Sequence, residues 1–152
     1  MKIKDSGARS EFETGAVRDI QVGKGRCDLM PLDSVGSILN NPTLCYIAEF
    51  QRDGKVVHLR AALTSSGVYH DAYTMFLEVS KHFEDGAEKY GENNWQKGLP
   101  AYCYINSAVR HYLKHLRGDV DEPHDRAFVW NILCCIWTCT HKQELNSYEP
   151  KD

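Results

Sequence analysis

The segment AFVWNILCCIW at 127–137 is apolar almost all round, with Asn131 the only strongly polar residue between Ala127 and Ile136. A helix built from it has no wet face, so it belongs at the centre of a bundle or beneath a neighbouring subunit. Glu122-Pro123 begins that helix, with proline suited to a first turn that needs no N–H donor. A buried amide at Asn131 needs partners: a base edge, a neighbouring carboxylate, or a second helix that it ties in place.

The rest of the chain supplies helices to surround such an element. Asn41-Pro42 is a helix start, and Leu44, Ile47, Ala48 and Gln51 follow at helical spacing. Asp53-Gly54 could be a hairpin turn, but Val56, Leu59, Ala62 and Leu63 fit a 3.6-residue period at least as well, so we expect helix, turn, helix. A longer helix is expected from about Tyr69 to Tyr90, with Tyr73, Phe76, Leu77, Val79 and Phe83 towards the core and Gly91 ending it. Leu99-Pro100 opens a further helix with an apolar stripe of Ile105, Ala108, Val109, Tyr112, Leu113 and Leu116, and Gly118 closes it. Residues 1–31 carry Arg9, Arg18, Lys24 and Arg26 among few apolar positions and read as an extended basic arm.

With 152 residues, 42% hydrophobic and 26% charged, the chain suits one domain, 1–152, with the arm at 1–31 and the chemistry-bearing helices at 69–141. No stretch nears the roughly 20 apolar residues of a membrane span, and the start MKIKDSGARSEF lacks a secretory apolar segment, so a cytoplasmic protein without membrane partners is expected. A net charge of -3 argues against duplex DNA as a partner held by bulk electrostatics. The six cysteines form no CxxC pair and read as reduced core thiols.

Two acidic pairs carry the first chemical signal. Glu84 and Glu88, and Glu122 and Asp125, are spaced so that a helix would aim each pair one way, and facing carboxylates suit Mg²⁺ or Mn²⁺ on a polyphosphate. The plain alternative is solvated surface acids and residues that favour a helix N-terminus. Lys89, Lys97, Arg110 and the arm's cations are candidate phosphate contacts, although Lys89 could equally pair with Asp85. GKGR at 23–26 is too short for a Walker-type loop. Asn94-Trp95 offers an amide and an aromatic face to a base, against core packing for the tryptophan. His111 with His115, and His124-Asp125, raise a histidine metal site of the HD phosphohydrolase kind, to which His82 could add a ligand.

The run from His82 to Trp137, with the upstream ETGAVRD and GKGRCDLMPL, resembles the phage-type dATP/dGTP diphosphohydrolase family, related to the MazG-like all-α nucleoside triphosphate pyrophosphohydrolases. The resemblance implies an all-α, MazG-like helical bundle with an extended N-terminal arm. It further implies hydrolysis of dGTP or dATP to the monophosphate and pyrophosphate with Mg²⁺ or Mn²⁺, suited in some phages to supplying dGMP for 2-aminoadenine nucleotide synthesis. MazG-like enzymes carry ExxE and ExxD motifs. Glu122 to Asp125 matches the second, whereas Glu84 and Glu88 stand one residue too far apart for the first, which makes His111 or His124 replacement ligands.

On this reading Glu84, Glu122 and Lys89 are catalytic. Glu84, Glu88, Glu122 and Asp125 hold metal, and Arg18, Lys24, Arg26, Asn94, Trp95, Lys97, Arg110 and Asn131 bind substrate. The expected partners are a purine nucleoside triphosphate and further copies of the chain, as a dimer or tetramer, in the host cytoplasm if phage-encoded. The competing expectations are an HD-type phosphohydrolase and a catalytically silent nucleotide-binding or interaction protein.

Overall fold

A computed structural model describes residues 2–150. The arm opens with a hairpin of β1 (Arg9–Glu11) and β2 (Val17–Asp19), paired antiparallel with Ser10 opposite Arg18. Its turn closes through Gly15, whose N–H donates to the Phe12 carbonyl (2.8 Å) at a positive φ that favours glycine. After a short 3-10 turn at Cys27–Leu29, seven helices follow: α1 (Leu32–Leu39), α2 (Pro42–Asp53), α3 (Val57–Ser65), α4 (Ala72–Tyr90), α5 (Asn94–Lys97), α6 (Ala101–Arg117) and α7 (His124–His141). The fold is all-α, with one small two-stranded ribbon.

Local chemistry sets the helix ends. The Asn41 side chain accepts from the Leu44 N–H (3.1 Å) and Pro42 follows it, as the sequence suggests. Asp71 caps α4 by accepting from the Thr74 N–H (2.8 Å), so the helix starts at Ala72 rather than near Tyr69. Gly54 ends α2 in the left-handed region, where a Cβ would lie 2.7 Å from the Glu149 nitrogen; the C-terminal segment seals this corner.

α7 is the central element. It packs along α6 and against α4 and α3. Ala127, Phe128, Val129, Ile132, Cys134 and Cys135 are buried. The chain itself covers most of the apolar run, while Trp130, Leu133, Ile136 and Trp137 form a stripe that is only partly buried. Ile105, Ala108, Val109 and Tyr112 of α6 face this core, whereas Leu116 at the last turn is half exposed. All six cysteines are free.

α4 differs from expectation at its start. Val79 is buried and Phe83 packs on the core, but Tyr73, Phe76 and Leu77 face outward, Tyr73 at 85% exposure. Their spacing is helical, yet the first half of α4 lacks the close neighbour that α7 gives the second half. No described helix is long and apolar enough to cross a membrane.

Replacing Ile132 with alanine should cost about 2–5 kcal/mol, because a fully buried side chain leaves a cavity at the bundle centre. Leu77→Gln, on the exposed stripe, should change stability by about 0.5 kcal/mol or less; urea unfolding of both variants checks the pair.

Candidate active site

The arm folds back over the helices through contacts that are distant in sequence. Thr14 donates to the Gly98 carbonyl (2.6 Å), and Val17 exchanges two hydrogen bonds of 2.8 Å with the Asn94 amide, which acts as one more rung of the ribbon. Arg18 donates to Asn131 Oδ1 (2.9 Å), while Arg110 donates to Gln21 Oε1 (2.9 Å) and the Gly25 carbonyl (3.1 Å). Further back, the Lys4 N–H donates to Glu122 Oε1 (3.0 Å), its ammonium reaches Asp121 (2.7 Å), and Lys89 donates to the Lys4 carbonyl (2.8 Å).

Beneath the arm lies a cavity of about 500 Å³. Six cations line it: Lys4, Arg18, Lys24, Lys89, Arg110 and Lys114. Asp5, Asp19, Asp121 and Glu122 are its acids. One wall is a run of rings, with His82 5.4 Å from Trp130, Trp130 5.9 Å from Phe83, and Phe83 5.4 Å from Trp95 between centroids. The Arg18 guanidinium stands over Trp130 at 5.9 Å, joining the cationic and aromatic sides.

Burial lowers the affinity of Lys89 and Arg110 for their protons, since desolvation penalises the charged form. His82 is pushed down to about 3 by burial and then by the Arg126 charge, so its imidazole is neutral near pH 7. Its Nδ1 and the Trp130 Nε1 are buried and have no hydrogen-bond partner among the described residues. His111 is pushed down to about 2, first by burial and then by His124. Asp121 is held well below the usual carboxylate range by Lys4 and by His124.

Arg18, Lys24, Lys89, Asn94, Trp95, Arg110, Glu122 and Asn131 all line this cavity. The amides of Asn94 and Asn131 are occupied, however: Asn94 holds the hairpin, and Asn131 accepts from Arg18 while donating to the Ala127 carbonyl (2.8 Å). They position the arm instead of presenting free groups to a base. Trp95 packs in the aromatic wall.

Glu84 and Glu88 are not in the lining. The cavity side of α4 carries His82, Phe83, Gly86, Lys89 and Tyr90, and at 100° per residue the two glutamates fall about 140–180° away. Both are exposed, and Glu88 pairs with Lys2 (3.1 Å). Asp85, between them, is buried against Arg126 (2.7 Å). Glu122 and Asp125 do not share a helical face either, because Glu122 lies in the turn before Pro123 and α7 begins at His124. Asp125 and Glu122 both border a second depression, with Glu78, Lys81 and His115, while Glu122 also lines the cavity and Asp125 does not. Lys97 is exposed beside the hairpin turn at Gly15, and Arg26 forks onto Asp28 (2.8 and 2.7 Å) outside the cavity.

The all-oxygen metal set expected from the acidic pairs is thus not assembled. Among the described residues, the groupings that could hold an ion are His111 with Glu122 and His124, and Asp119 with Asp121 and His124. Two imidazole nitrogens and one carboxylate fit Mn²⁺ better than Mg²⁺, whose preference is for oxygen. Sequence reasoning kept His111 and His124 as replacement ligands but passed over Asp121, Lys4 and Lys114. The Asp-x-Asp-Glu run at 119–122 was the one local signal for Asp121.

A family model described as dATP/dGTP diphosphohydrolase, N-terminal, matches residues 51–148. The chain belongs to this family. No curated protein and no solved structure matches it. In this dATP/dGTP diphosphohydrolase family member the matched span holds α3 to α7, with Lys89, Arg110, His111, Glu122 and His124, while the arm that closes the cavity precedes it.

Because the folded His82 binds its proton less readily than the unfolded chain does, it contributes stability that is fully present above about pH 6.5 and is lost as pH falls towards 3. At about pH 4.5 this one group should cost roughly 2–3 kcal/mol, and His82→Gln should flatten that part of a stability-against-pH curve measured by urea unfolding.

Proposed function

We propose that this chain hydrolyses purine deoxynucleoside triphosphates, dGTP or dATP, to the monophosphate and pyrophosphate in the arm-covered cavity. The observation that carries this reading is one cavity of about 500 Å³ lined by both clustered cations and a run of aromatic rings. Its volume lies in the usual range for small-molecule sites. A triphosphate needs dense positive charge, and a purine needs flat apolar faces with a few polar atoms.

In this proposal Lys89, Arg110, Arg18, Lys24 and Lys114 take the phosphate oxygens. Lys89 and Arg110 matter most, because cations already desolvated by the fold bind and stabilise developing charge without first shedding water. The ring wall takes the base, and the unpartnered Nδ1 of neutral His82 and Nε1 of Trp130 supply hydrogen bonds near it. Asn94, Asn131 and Gln21 keep the arm in register over the site.

A divalent metal, Mn²⁺ in preference to Mg²⁺, would be held by Glu122 with His111 and His124, and when bound would activate water and offset phosphate charge. The arm covers part of the cavity and so limits the access of bulk water to the anhydride. The same proposal makes 1–31 and 69–141 one catalytic unit of MazG-like kind in a cytoplasmic enzyme, with dGMP supply to a phage 2-aminoadenine pathway as its use. It includes assembly as a dimer or tetramer, for which the exposed Tyr73, Phe76 and Leu77 offer an apolar face.

Incubation with each common nucleoside triphosphate, with Mn²⁺, Mg²⁺ or a chelator, should yield a purine deoxynucleoside monophosphate and pyrophosphate only when metal is present. Glu122→Ala should abolish turnover, and Lys89→Ala should lower kcat/KM by about 10²-fold or more. Inorganic triphosphate as product would favour an HD-type phosphohydrolase, and binding without turnover at any metal a silent binding protein; either result contradicts the proposal.

A further inference from the structure

Two polar atoms in the aromatic wall have no bond to make within the fold itself. His82 Nδ1 and Trp130 Nε1 are buried and unpartnered among the described residues, in rings whose centroids lie 5.4 Å apart at a 46° tilt. Both side chains line the cavity. A buried donor or acceptor without a partner costs free energy, so each atom is a place where an incoming polar group gains a bond that water does not supply. Asn94, Asn131 and Tyr104 of the same lining are committed instead. Asn94 bonds Val17, Asn131 bonds Arg18 and the Ala127 carbonyl, and the Tyr104 hydroxyl meets Thr138 (3.2 Å) and the Leu99 N–H (3.1 Å).

The two atoms differ in what they offer. An indole N–H only donates, whereas a neutral imidazole nitrogen donates in one tautomer and accepts in the other. His82 is neutral near pH 7, and among the described residues no hydrogen bond to its Nδ1 selects a tautomer. Purines divide along the same line. Adenine and guanine share an acceptor at N7, while at the adjacent position 6 adenine carries an amino donor and guanine a carbonyl acceptor.

We propose that the Trp130 N–H reads N7, the acceptor common to purines, and that His82 reads position 6 in whichever tautomer the base requires, so that one cavity takes adenine and guanine alike. With guanine, the His82 Nδ1–H donates to O6. With adenine, the bare Nδ1 accepts from the N6 amino group. The reverse assignment, with the indole at position 6, would exclude adenine, because two donors would face each other. Pyrimidines have no N7 and leave the Trp130 N–H unpaired. A fixed donor thus separates purine from pyrimidine, and an ambivalent ring admits both purines. Neither atom is open to solvent as the rings stand, so a turn of each ring accompanies binding, for which the partly buried Trp130 has room.

The inference rests on the proposed occupancy of this cavity by a purine nucleotide, but base reading can be measured without turnover. The full chain is held in chelator, and Kd is measured by calorimetry for dATP, dGTP, their 7-deaza analogues, dCTP and dTTP. The two purines should bind within about tenfold of each other. Loss of N7 should weaken each by about tenfold or more, and the pyrimidines should be weaker by at least as much. Trp130→Phe keeps a ring but removes the N–H, and should erase the difference between each purine and its 7-deaza analogue. In the unaltered chain, ¹⁵N spectra should show the His82 Nδ1 protonated with dGTP and bare with dATP, which keeps the test valid if the variant fails to fold.

Analogues without N7 that bind as well as their parents, exclusion of either purine, or a single His82 tautomer with both bases would overturn the assignment. Turnover is then assayed on the same samples after Mn²⁺ is added in excess of chelator. The expected tautomers without turnover would retain the base reading and remove the hydrolase reading. Equal turnover of dATP, dGTP and their 7-deaza analogues would do the reverse.

Discussion

Burial of most of α7 is the constraint from which the rest follows. So apolar a helix draws α6, α4, α3 and the turn at Gln143–Leu145 around it within one chain, which buries Phe128, Val129, Ile132 and Cys135. That packing fixes where the first turn of α7 comes out. His124 and the preceding Asp121 and Glu122 are then delivered to the edge of the cavity beside His111 of α6. The polar chemistry is anchored at the edge of the most deeply buried part of the fold.

The arm completes the site in the opposite manner. Beyond Ala16 and Phe12, which pack on the core, it is held by hydrogen bonds and ion pairs: Thr14 to Gly98, Val17 to Asn94, Arg18 to Asn131, Lys4 to Glu122 and Asp121. The Lys4 ion pair is solvent-exposed and screened, while the partly buried hydrogen bonds of Thr14, Val17 and Arg18 contribute about 0.5–1.5 kcal/mol each. A cover attached by many weak polar bonds can be lifted and replaced without disturbing the core, which suits a substrate that must enter and a product that must leave.

Most of the helices were legible because their signals are local. Asn41-Pro42, Gly54, Gly91, Pro100 and Gly118 mark ends within a few residues of the observed ones, and the unbroken apolar run identified the central helix. The rotation of α4 was not legible. Tyr73, Phe76 and Leu77 have core-like spacing, yet only the neighbour decides which half of a helix is covered. The same rotation carries Glu84 and Glu88 away from the cavity. Glu122 and Asp125 border the second depression together but not from one helical face, because α7 begins at His124. Contacts such as Lys4 to Glu122 join residues more than a hundred positions apart, and no spacing rule announces them.

The central claim is that the arm, the second half of α4 and the α6–α7 turn close together around one nucleotide. Hydrogen–deuterium exchange of the full chain, with and without a non-hydrolysable dGTP analogue and Mn²⁺, tests it most directly. The account predicts slowed exchange in residues 3–24, 82–91 and 107–123, with the α1–α2 region unchanged. Protection confined to other segments, or none at saturating analogue, would contradict it.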